Sequence, residues 1–153
     1  MARQNQQWKP NVTVAAVIER DGSFLLVEEQ TAEGILYNQP AGHLEAGESL
    51  LDAVVRETLE ESAWHFTPTA LVGVYQYHQA ASGITYLRFA FSGDLTDQVA
   101  GRKLDTGIVR ALWVPVAEIR ASRAKHRSPL LMQCVDDYLA GRRYPLELLH
   151  THN

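Results

Sequence analysis

Residues 49–61 have the pattern of an amphipathic helix, and this segment constrains the fold more than any other part of the chain. Ser49 is a residue type that caps helix N-termini, and Asp52 follows in the first turn, where the helix dipole favours a negative charge. An apolar stripe recurs at every fourth position, at Leu51, Val55 and Leu59. The pattern predicts a helix from about residue 49 to residue 61.

The same helix carries three glutamates that we expect to share one exposed face. Glu57, Glu60 and Glu61 are three and four residues apart, on the side away from the apolar stripe. Like charges at this spacing destabilise an isolated helix by roughly 0.2–0.5 kcal/mol per pair, and Arg56 offsets only part of that repulsion. One interpretation is a solvated acidic face. The other is a site for Mg²⁺ or Mn²⁺, because hard carboxylate oxygens suit these ions.

The spacing of residues upstream of the glutamates favours the metal site. The charged and hinge positions are Gly42, Glu48, Arg56, Glu57, Glu60 and Glu61. All six match the Nudix box, which this segment closely resembles: Gly, five residues, Glu, seven residues, Arg-Glu, an aliphatic residue, any residue, Glu-Glu, any residue, Gly and an aliphatic residue. Thr58 replaces an aliphatic residue, Ala63 replaces the glycine and Trp64 is a bulky closing hydrophobe. Glycine commonly ends a helix in a left-handed turn. Because Ala63 stands at that position, the sequence does not determine the residue at which the helix ends.

The resemblance implies an α/β fold, an α/β/α sandwich with a mixed β-sheet flanked by helices. It also implies a Mg²⁺-dependent hydrolase of organic diphosphates, with Mn²⁺ as an alternative ion, in which a metal-activated water attacks phosphorus. The implied metal ligands are the Gly42 carbonyl and the carboxylates of Glu57, Glu60 and Glu61, one of which also orients or deprotonates the water. Arg56 and Glu48 complete the implied catalytic set as a pair that fixes the loop; a surface ion pair is the alternative for Glu48.

Stretches outside the box extend the resemblance over residues 8–149. They are residues 9–15, 38–46, 86–89, 127–130 and 143–147, and they resemble the NudJ-type phosphatases, a branch of the Nudix superfamily. That branch implies hydrolysis of nucleoside tri- and diphosphates and of the hydroxymethylpyrimidine diphosphate precursor of thiamine, with release of orthophosphate. The alternatives are a house-cleaning pyrophosphohydrolase of the oxidised-guanine or ADP-sugar type and a non-catalytic nucleotide-sensing module.

Four residues are candidates for contacts with a phosphorylated substrate. Arg88 alternates with Tyr86 in a predicted strand, and Arg127 stands at the mouth of a predicted helix, where backbone N–H groups favour an anion. His43 follows Gly42, and the amide of Gln39 can read a base edge. Each arginine can equally be a surface residue and His43 a loop filler. Asp105 and Glu118 are further acidic candidates whose distance from the helix the sequence does not give.

The charge balance and cysteine count exclude several classes of protein. Fourteen basic and 18 acidic residues give a net charge of −4, which argues against nucleic-acid binding and against a polybasic membrane surface. The longest apolar run, residues 14–18, is far shorter than the roughly 20 residues of a membrane span. No apolar segment follows Arg3, so we expect no secretory signal. A single cysteine, Cys134, cannot form an intrachain disulfide, and we expect a cytoplasmic protein.

The remaining pattern indicates one domain of alternating strands and helices. We expect a flexible arm at residues 1–9, one Nudix hydrolase domain at 10–149 and a tail at 150–153, in a monomer or small homo-oligomer. We expect two hairpins. The first pairs strands at residues 12–18 and 24–28 through a turn at Asp21-Gly22, and the second pairs strands at residues 71–77 and 84–91. A short strand at 112–114, a helical turn near Val116 and a helix at about 129–140, capped by Ser128, follow.

Overall fold

The computed structural model describes residues 6–153 and contains eight strands within that range. They are β1 (Asn11–Val17), β2 (Glu19–Arg20), β3 (Ser23–Thr31), β4 (Gly34–Asn38), β5 (Ala41–His43), β6 (Trp64–Gln79), β7 (Ile84–Gln98) and β8 (Ile108–Pro115). The first sheet has the order β5-β1-β7-β6 and is mixed, because β1 and β7 run parallel while the other pairs are antiparallel. In the second sheet β3 pairs antiparallel with β2, β4 and β8.

Three α-helices accompany the sheets: α1 (Leu50–Ser62), α2 (Val116–Ala121) and α3 (Leu130–Leu139). Helix α1 packs on one face of the first sheet, where Ala53 and Val54 join Val14 and Phe91 in a buried cluster. On the other face, residues of α2 and α3 form a second cluster with β1, β3 and β7. The predicted mixed sheet flanked by helices is confirmed.

The cap predicted for α1 is confirmed, but the predicted orientation of the helix is wrong. The Asp52 amide donates a hydrogen bond of 3.1 Å to Ser49 Oγ. The buried face consists of Ala53, Val54, Glu57, Thr58, Glu61 and Ser62, while Leu51, Val55 and Leu59 are only partly buried. Thr58 and Ser62 can be buried because their hydroxyls donate to the carbonyls of Val54 and Thr58, at 2.7 and 2.6 Å. Two of the three glutamates therefore point inward rather than into solvent.

The helix ends at Ser62, and Ala63 adopts the left-handed conformation in place of glycine. Its φ is 63°, and its amide donates to the Leu59 carbonyl at 2.9 Å. L-residues rarely occupy this region, so the exit from α1 is strained. Strand β6 begins at the next residue, Trp64.

The predicted hairpin of residues 12–18 and 24–28 is wrong, although its turn is present. Asp21 and Gly22 both have positive φ, as a two-residue hairpin turn requires, but the turn joins β3 to the two-residue strand β2. Strand β1 instead lies between β5 and β7. It takes this central position because all its residues from Val14 to Val17 are buried.

The other predicted elements are present with different limits. Strands β6 and β7 form the second hairpin but are 16 and 15 residues long. Helix α3 begins at Leu130, so Pro129 occupies the N-cap position that was predicted for Ser128. Pro129 makes no side-chain capping hydrogen bond, whereas Ser128 Oγ accepts from the Leu130 amide at 3.2 Å. Strands β4 and β5 were not predicted.

The chain termini are only partly described. Residues 1–5 of the predicted arm lie outside the described residues, and residues 6–10 contain no regular structure. Residues 150–153 are exposed coil. Of the helices within residues 6–153, none has the length and apolar character needed to cross a membrane.

Candidate active site

A cavity of about 480 Å³ opens between the two sheets. At one end it is lined by Gly42 of β5 and by Glu57 and Glu61 of α1. At the other end it is lined by Tyr77 of β6, Tyr86 and Arg88 of β7, and by residues 127, 128 and 130 at the start of α3. The cavity therefore has an acidic end and an end that carries aromatic and cationic side chains.

Glu57 belongs to a tight group of carboxylates beside the cavity. Oxygens of Glu57, Glu60 and Asp105 lie within 4.8 Å of one another. Asp105 comes from the loop between β7 and β8, which is tied to α1 by a 3.0 Å hydrogen bond from the Asp105 amide to the Glu60 carbonyl. The sequence left the position of Asp105 undetermined, because nothing in a polar loop indicates where it folds back. The structure adds Asp105 to two of the three glutamates of the predicted ligand set.

Glu57 lies directly against the backbone of Gly42. A Cβ atom at residue 42 would be 2.1 Å from Glu57 Cδ and 2.3 Å from both carboxylate oxygens. Only glycine leaves room for this carboxylate, so residue 42 and Glu57 depend on each other sterically. The Gly42 backbone and the carboxylate line the same end of the cavity.

Arg56 organises the carboxylates from the other side. Its Nε and a terminal nitrogen donate to the two oxygens of Glu48 at 2.9 and 2.7 Å, a bidentate pair. Its other terminal nitrogen contacts Glu57 at 2.8 Å and Glu60 at 3.3 Å. The Arg56 side chain also bonds the His43 carbonyl at 3.1 Å, which ties the loop before α1 to the helix. Hydrogen bonds from Arg56 lower the pKa of Glu48, and those bonds in turn raise the pKa of Arg56.

Glu61 lies outside the tight group but lines the same cavity. One of its oxygens accepts a 2.9 Å hydrogen bond from the Ala41 amide. Burial raises the pKa of Glu61 to about 9 and that of Glu57 to about 7. Burial and the neighbouring Asp105 also raise the pKa of Glu60. A divalent cation would relieve this crowding by stabilising the ionised carboxylates, and their hard oxygens fit Mg²⁺ or Mn²⁺.

Three of the four predicted substrate contacts line the cavity. These three residues are Arg88, Arg127 and His43. Arg88 is only 6% exposed, and Arg127 forms an ion pair with Glu29. His43 is exposed, and its Nε2 lies 3.4 Å from Asn11 Nδ2. Gln39 is buried behind Arg88 rather than on the cavity wall. Its oxygen accepts from Arg88 at 3.0 Å, and its nitrogen donates to the Leu131 carbonyl at 2.9 Å.

Glu118, Cys134 and Tyr75 lie away from the cavity. Glu118 is an exposed residue of α2 and does not line the cavity. Cys134 is fully buried in α3. Tyr75 donates a 2.7 Å hydrogen bond to Asp137 and packs against the core, as most strand aromatics do.

The fold and the acidic helix define a hydrolase domain of the α/β class, and comparison with known proteins specifies its family. The family model of the NUDIX domain matches residues 8–134. The chain therefore belongs to the Nudix hydrolases, which act on phosphate anhydride bonds.

Individual relatives agree with this assignment. Phosphatase NudJ of Escherichia coli K12 is 38% identical over 146 residues, which cover 95% of this chain and 94% of the relative. A NUDIX hydrolase from Nitrosomonas europaea superposes with a TM-score of 0.92 at 56% identity, over 94% of this chain and 98% of that structure. The NUDIX domain of Shewanella oneidensis NrtR, solved with ADP ribose, has a TM-score of 0.71 at 17% identity, over 88% and 90% of the two chains, and shares the fold.

Proposed function

We propose that this protein is a Mg²⁺-dependent phosphatase of organic di- and triphosphates. Its substrates would be nucleoside tri- and diphosphates and the hydroxymethylpyrimidine diphosphate precursor of thiamine, with orthophosphate as the product. The observation that carries the proposal is the carboxylate group of Glu57, Glu60 and Asp105, because Glu57 lines a cavity that Arg88 and Arg127 also line. The extended identity to Phosphatase NudJ supports the substrate class.

The acidic end has the donor set for the metal. Glu57, Glu60 and Asp105 would hold it, with the Gly42 carbonyl and Glu61 as further ligands from the same cavity wall. When bound, Mg²⁺, or Mn²⁺ in its place, neutralises charge on phosphate oxygens and lowers the pKa of a water. The space at Gly42 that the Glu57 carboxylate fills supports this fit, since no larger residue is compatible with that carboxylate position.

The chain's own side chains have separate tasks in this mechanism. Arg56, held by Glu48, fixes the carboxylates of Glu57 and Glu60 before substrate arrives. Glu61 accepts from the Ala41 amide through Oε1, which leaves Oε2 to orient or deprotonate the attacking water.

Substrate binding is assigned to the opposite end of the cavity. Arg88 and Arg127 would contact phosphate oxygens, and His43 would contact the substrate near the metal ligands. Gln39 acts through Arg88. We further propose a cytoplasmic location and a monomer or small homo-oligomer whose only ligand class is small phosphorylated molecules.

Product analysis tests the proposal. The protein is incubated with Mg²⁺ and, separately, hydroxymethylpyrimidine diphosphate, CTP, GTP, oxidised dGTP and ADP-ribose, with the Glu60→Gln variant as the blank. Metal-dependent release of orthophosphate from the thiamine precursor and from triphosphates is the expected result. Pyrophosphate release, or cleavage of ADP-ribose alone, would move the protein to another Nudix branch, and no turnover at all would favour a sensing module.

A further inference from the structure

Arg88 occupies a central position on the cavity wall. It lies on β7, opposite Thr13 of β1 on one side and Tyr75 of β6 on the other. Its side chain crosses from the first sheet to the end of β4, where its two terminal nitrogens donate to Gln39 at 3.0 Å and to Asn38 at 3.2 Å. Arg88 therefore connects the two sheets at the cavity.

The positive charge of Arg88 has no counter-charge among the described residues. Both of its hydrogen-bond acceptors are neutral amide oxygens, and no carboxylate within residues 6–153 lies at ion-pair distance from it. Its Nε is buried with no hydrogen-bond partner in that range. Burial raises the pKa of the neighbouring Cys134 thiol, which therefore supplies no negative charge.

The arginine that lines the cavity with Arg88, and the arginine beside the carboxylates, differ in this respect. Arg127 is paired with Glu29, and Arg56 with Glu48. A guanidinium keeps its charge in proteins, so a buried one without a carboxylate is stabilised by an anion that binds beside it. Arg88 is 6% exposed and is one of the residues that line the cavity.

Arg88 and the candidate metal ligands are carried by different elements. Strand β7, which carries Arg88, is separated by β1 from β5, and Gly42 of β5 contacts Glu57 of α1. The role of Arg88 can therefore be tested separately from that of the metal ligands.

We propose that Arg88 binds a phosphoryl group of the substrate independently of the metal, through a guanidinium whose charge no carboxylate of residues 6–153 balances. In this scheme Gln39 is a positioning residue that holds the guanidinium without neutralising it. The substrate class rests on the proposed function. The alternative is a purely structural role, in which Arg88 only joins the two sheets.

Substitutions at Gln39 separate these two roles. Gln39→Glu would place a carboxylate on Arg88, strengthening the link between the sheets while removing the free positive charge. Gln39→Leu is the matched control: it loses the same hydrogen bond to the Leu131 carbonyl but introduces no negative charge. Binding of methylenediphosphonate, a non-hydrolysable diphosphate, is measured by calorimetry in EDTA, and thermal unfolding verifies that each variant is folded.

Phosphate recognition by Arg88 predicts that Gln39→Glu weakens methylenediphosphonate binding at least tenfold relative to Gln39→Leu. Arg88→Met should match Gln39→Glu, and Arg88→Lys should retain part of the affinity. Equal affinity of Gln39→Glu and Gln39→Leu would overturn the proposal. Because the measurement needs neither metal nor turnover, it remains decisive if the wild-type protein hydrolyses none of the proposed substrates.

Discussion

The Glu57 carboxylate fills the space where a side chain on Gly42 would begin, with Cδ 2.1 Å from the position of a Cβ atom. This contact joins strand β5 to helix α1 at the acidic end of the cavity. The absence of a side chain at one residue thus determines where a candidate metal ligand lies. The contact also explains why the first glycine of the box is needed although its φ is not positive.

Replacing Gly42 by alanine should displace the Glu57 carboxylate. We expect turnover with Mg²⁺ to fall by about two orders of magnitude, since small misplacement of catalytic groups costs roughly 10²-fold. Glu57→Gln should lose a similar amount, and the double variant little more than either single one, because both changes remove the same group. Independent, multiplicative losses in kcat/KM would contradict this coupling.

The bidentate pair of Arg56 and Glu48 should be sensitive even to a change that keeps the charge. Lysine cannot bond both Glu48 oxygens and also contact Glu57, so Arg56→Lys should reduce kcat/KM by about tenfold or more, given about 1.5–3 kcal/mol for a charged hydrogen bond. Arg110→Lys, in the surface pair with Glu28, is the matched control and should change little. Equal kinetics of the two variants would argue against the organising role of Arg56.

Asp105 should contribute to metal binding although it lies outside the box. We expect Asp105→Asn to raise the Mg²⁺ concentration for half-maximal activity by about tenfold, because one of three clustered carboxylates loses its charge. Its backbone bond to Glu60 is unaffected, so the unfolding temperature should hardly change. The exposed Asp97 provides the control, and an unchanged Mg²⁺ requirement in Asp105→Asn would remove Asp105 from the ligand set.

The stability of the metal-free protein should fall as pH rises from about 5 to 9. Carboxyls with raised pKa bind protons more tightly when folded than when unfolded, so their stabilising effect is lost as pH rises through about 7 for Glu57 and about 9 for Glu61. Thermal unfolding in EDTA measures this trend. Mg²⁺ should reduce the loss at high pH, and Glu61→Gln should flatten the curve above pH 7; a stability that increases with pH would contradict the burial of these groups.

The exit of helix α1 offers a stability test that does not involve the cavity. Ala63→Gly should raise the free energy of unfolding by about 0.5–1 kcal/mol, because the left-handed conformation costs an L-residue roughly 1–2 kcal/mol and part of that gain is offset by the lost methyl group. Ala53→Gly, at a right-handed helical position, should destabilise instead. Urea unfolding with unchanged m-values measures both. Destabilisation by Ala63→Gly would mean that the buried methyl group outweighs the backbone strain.

The sequence predicted those parts of the fold that depend on local pattern. The cap at Ser49, the turn at Asp21-Gly22 and the hairpin of β6 and β7 follow from neighbouring residues. The pairing of β1 with β7 does not, because it joins residues more than 70 positions apart. The inward orientation of Glu57 and Glu61 was missed for a related reason: periodicity assigns the apolar stripe to the core, whereas small residues and buried hydroxyls form the observed interface.

In the candidate site, too, the sequence predicted the features that depend on local pattern and missed those that depend on tertiary structure. The box predicted Glu57 and Glu60 as metal ligands and paired Arg56 with Glu48, and in the structure Arg56 contacts all three glutamates. The contribution of Asp105 depends on the path of a loop, and the burial of Gln39 behind Arg88 depends on how the two sheets meet. Neither leaves a local signal in the sequence.

Metal binding by the carboxylate group tests the central claim most directly. Mn²⁺ binding and Mg²⁺-dependent phosphate release should be measured together on the wild-type protein and on Glu60→Gln, with Asp97→Asn as the control. We expect the wild-type and the control to bind Mn²⁺ and hydrolyse substrate, and Glu60→Gln to lose at least tenfold in both properties, since clustered carboxylates are the ligands that these ions require. Full turnover by Glu60→Gln with unchanged Mn²⁺ affinity would contradict the assignment of the metal site.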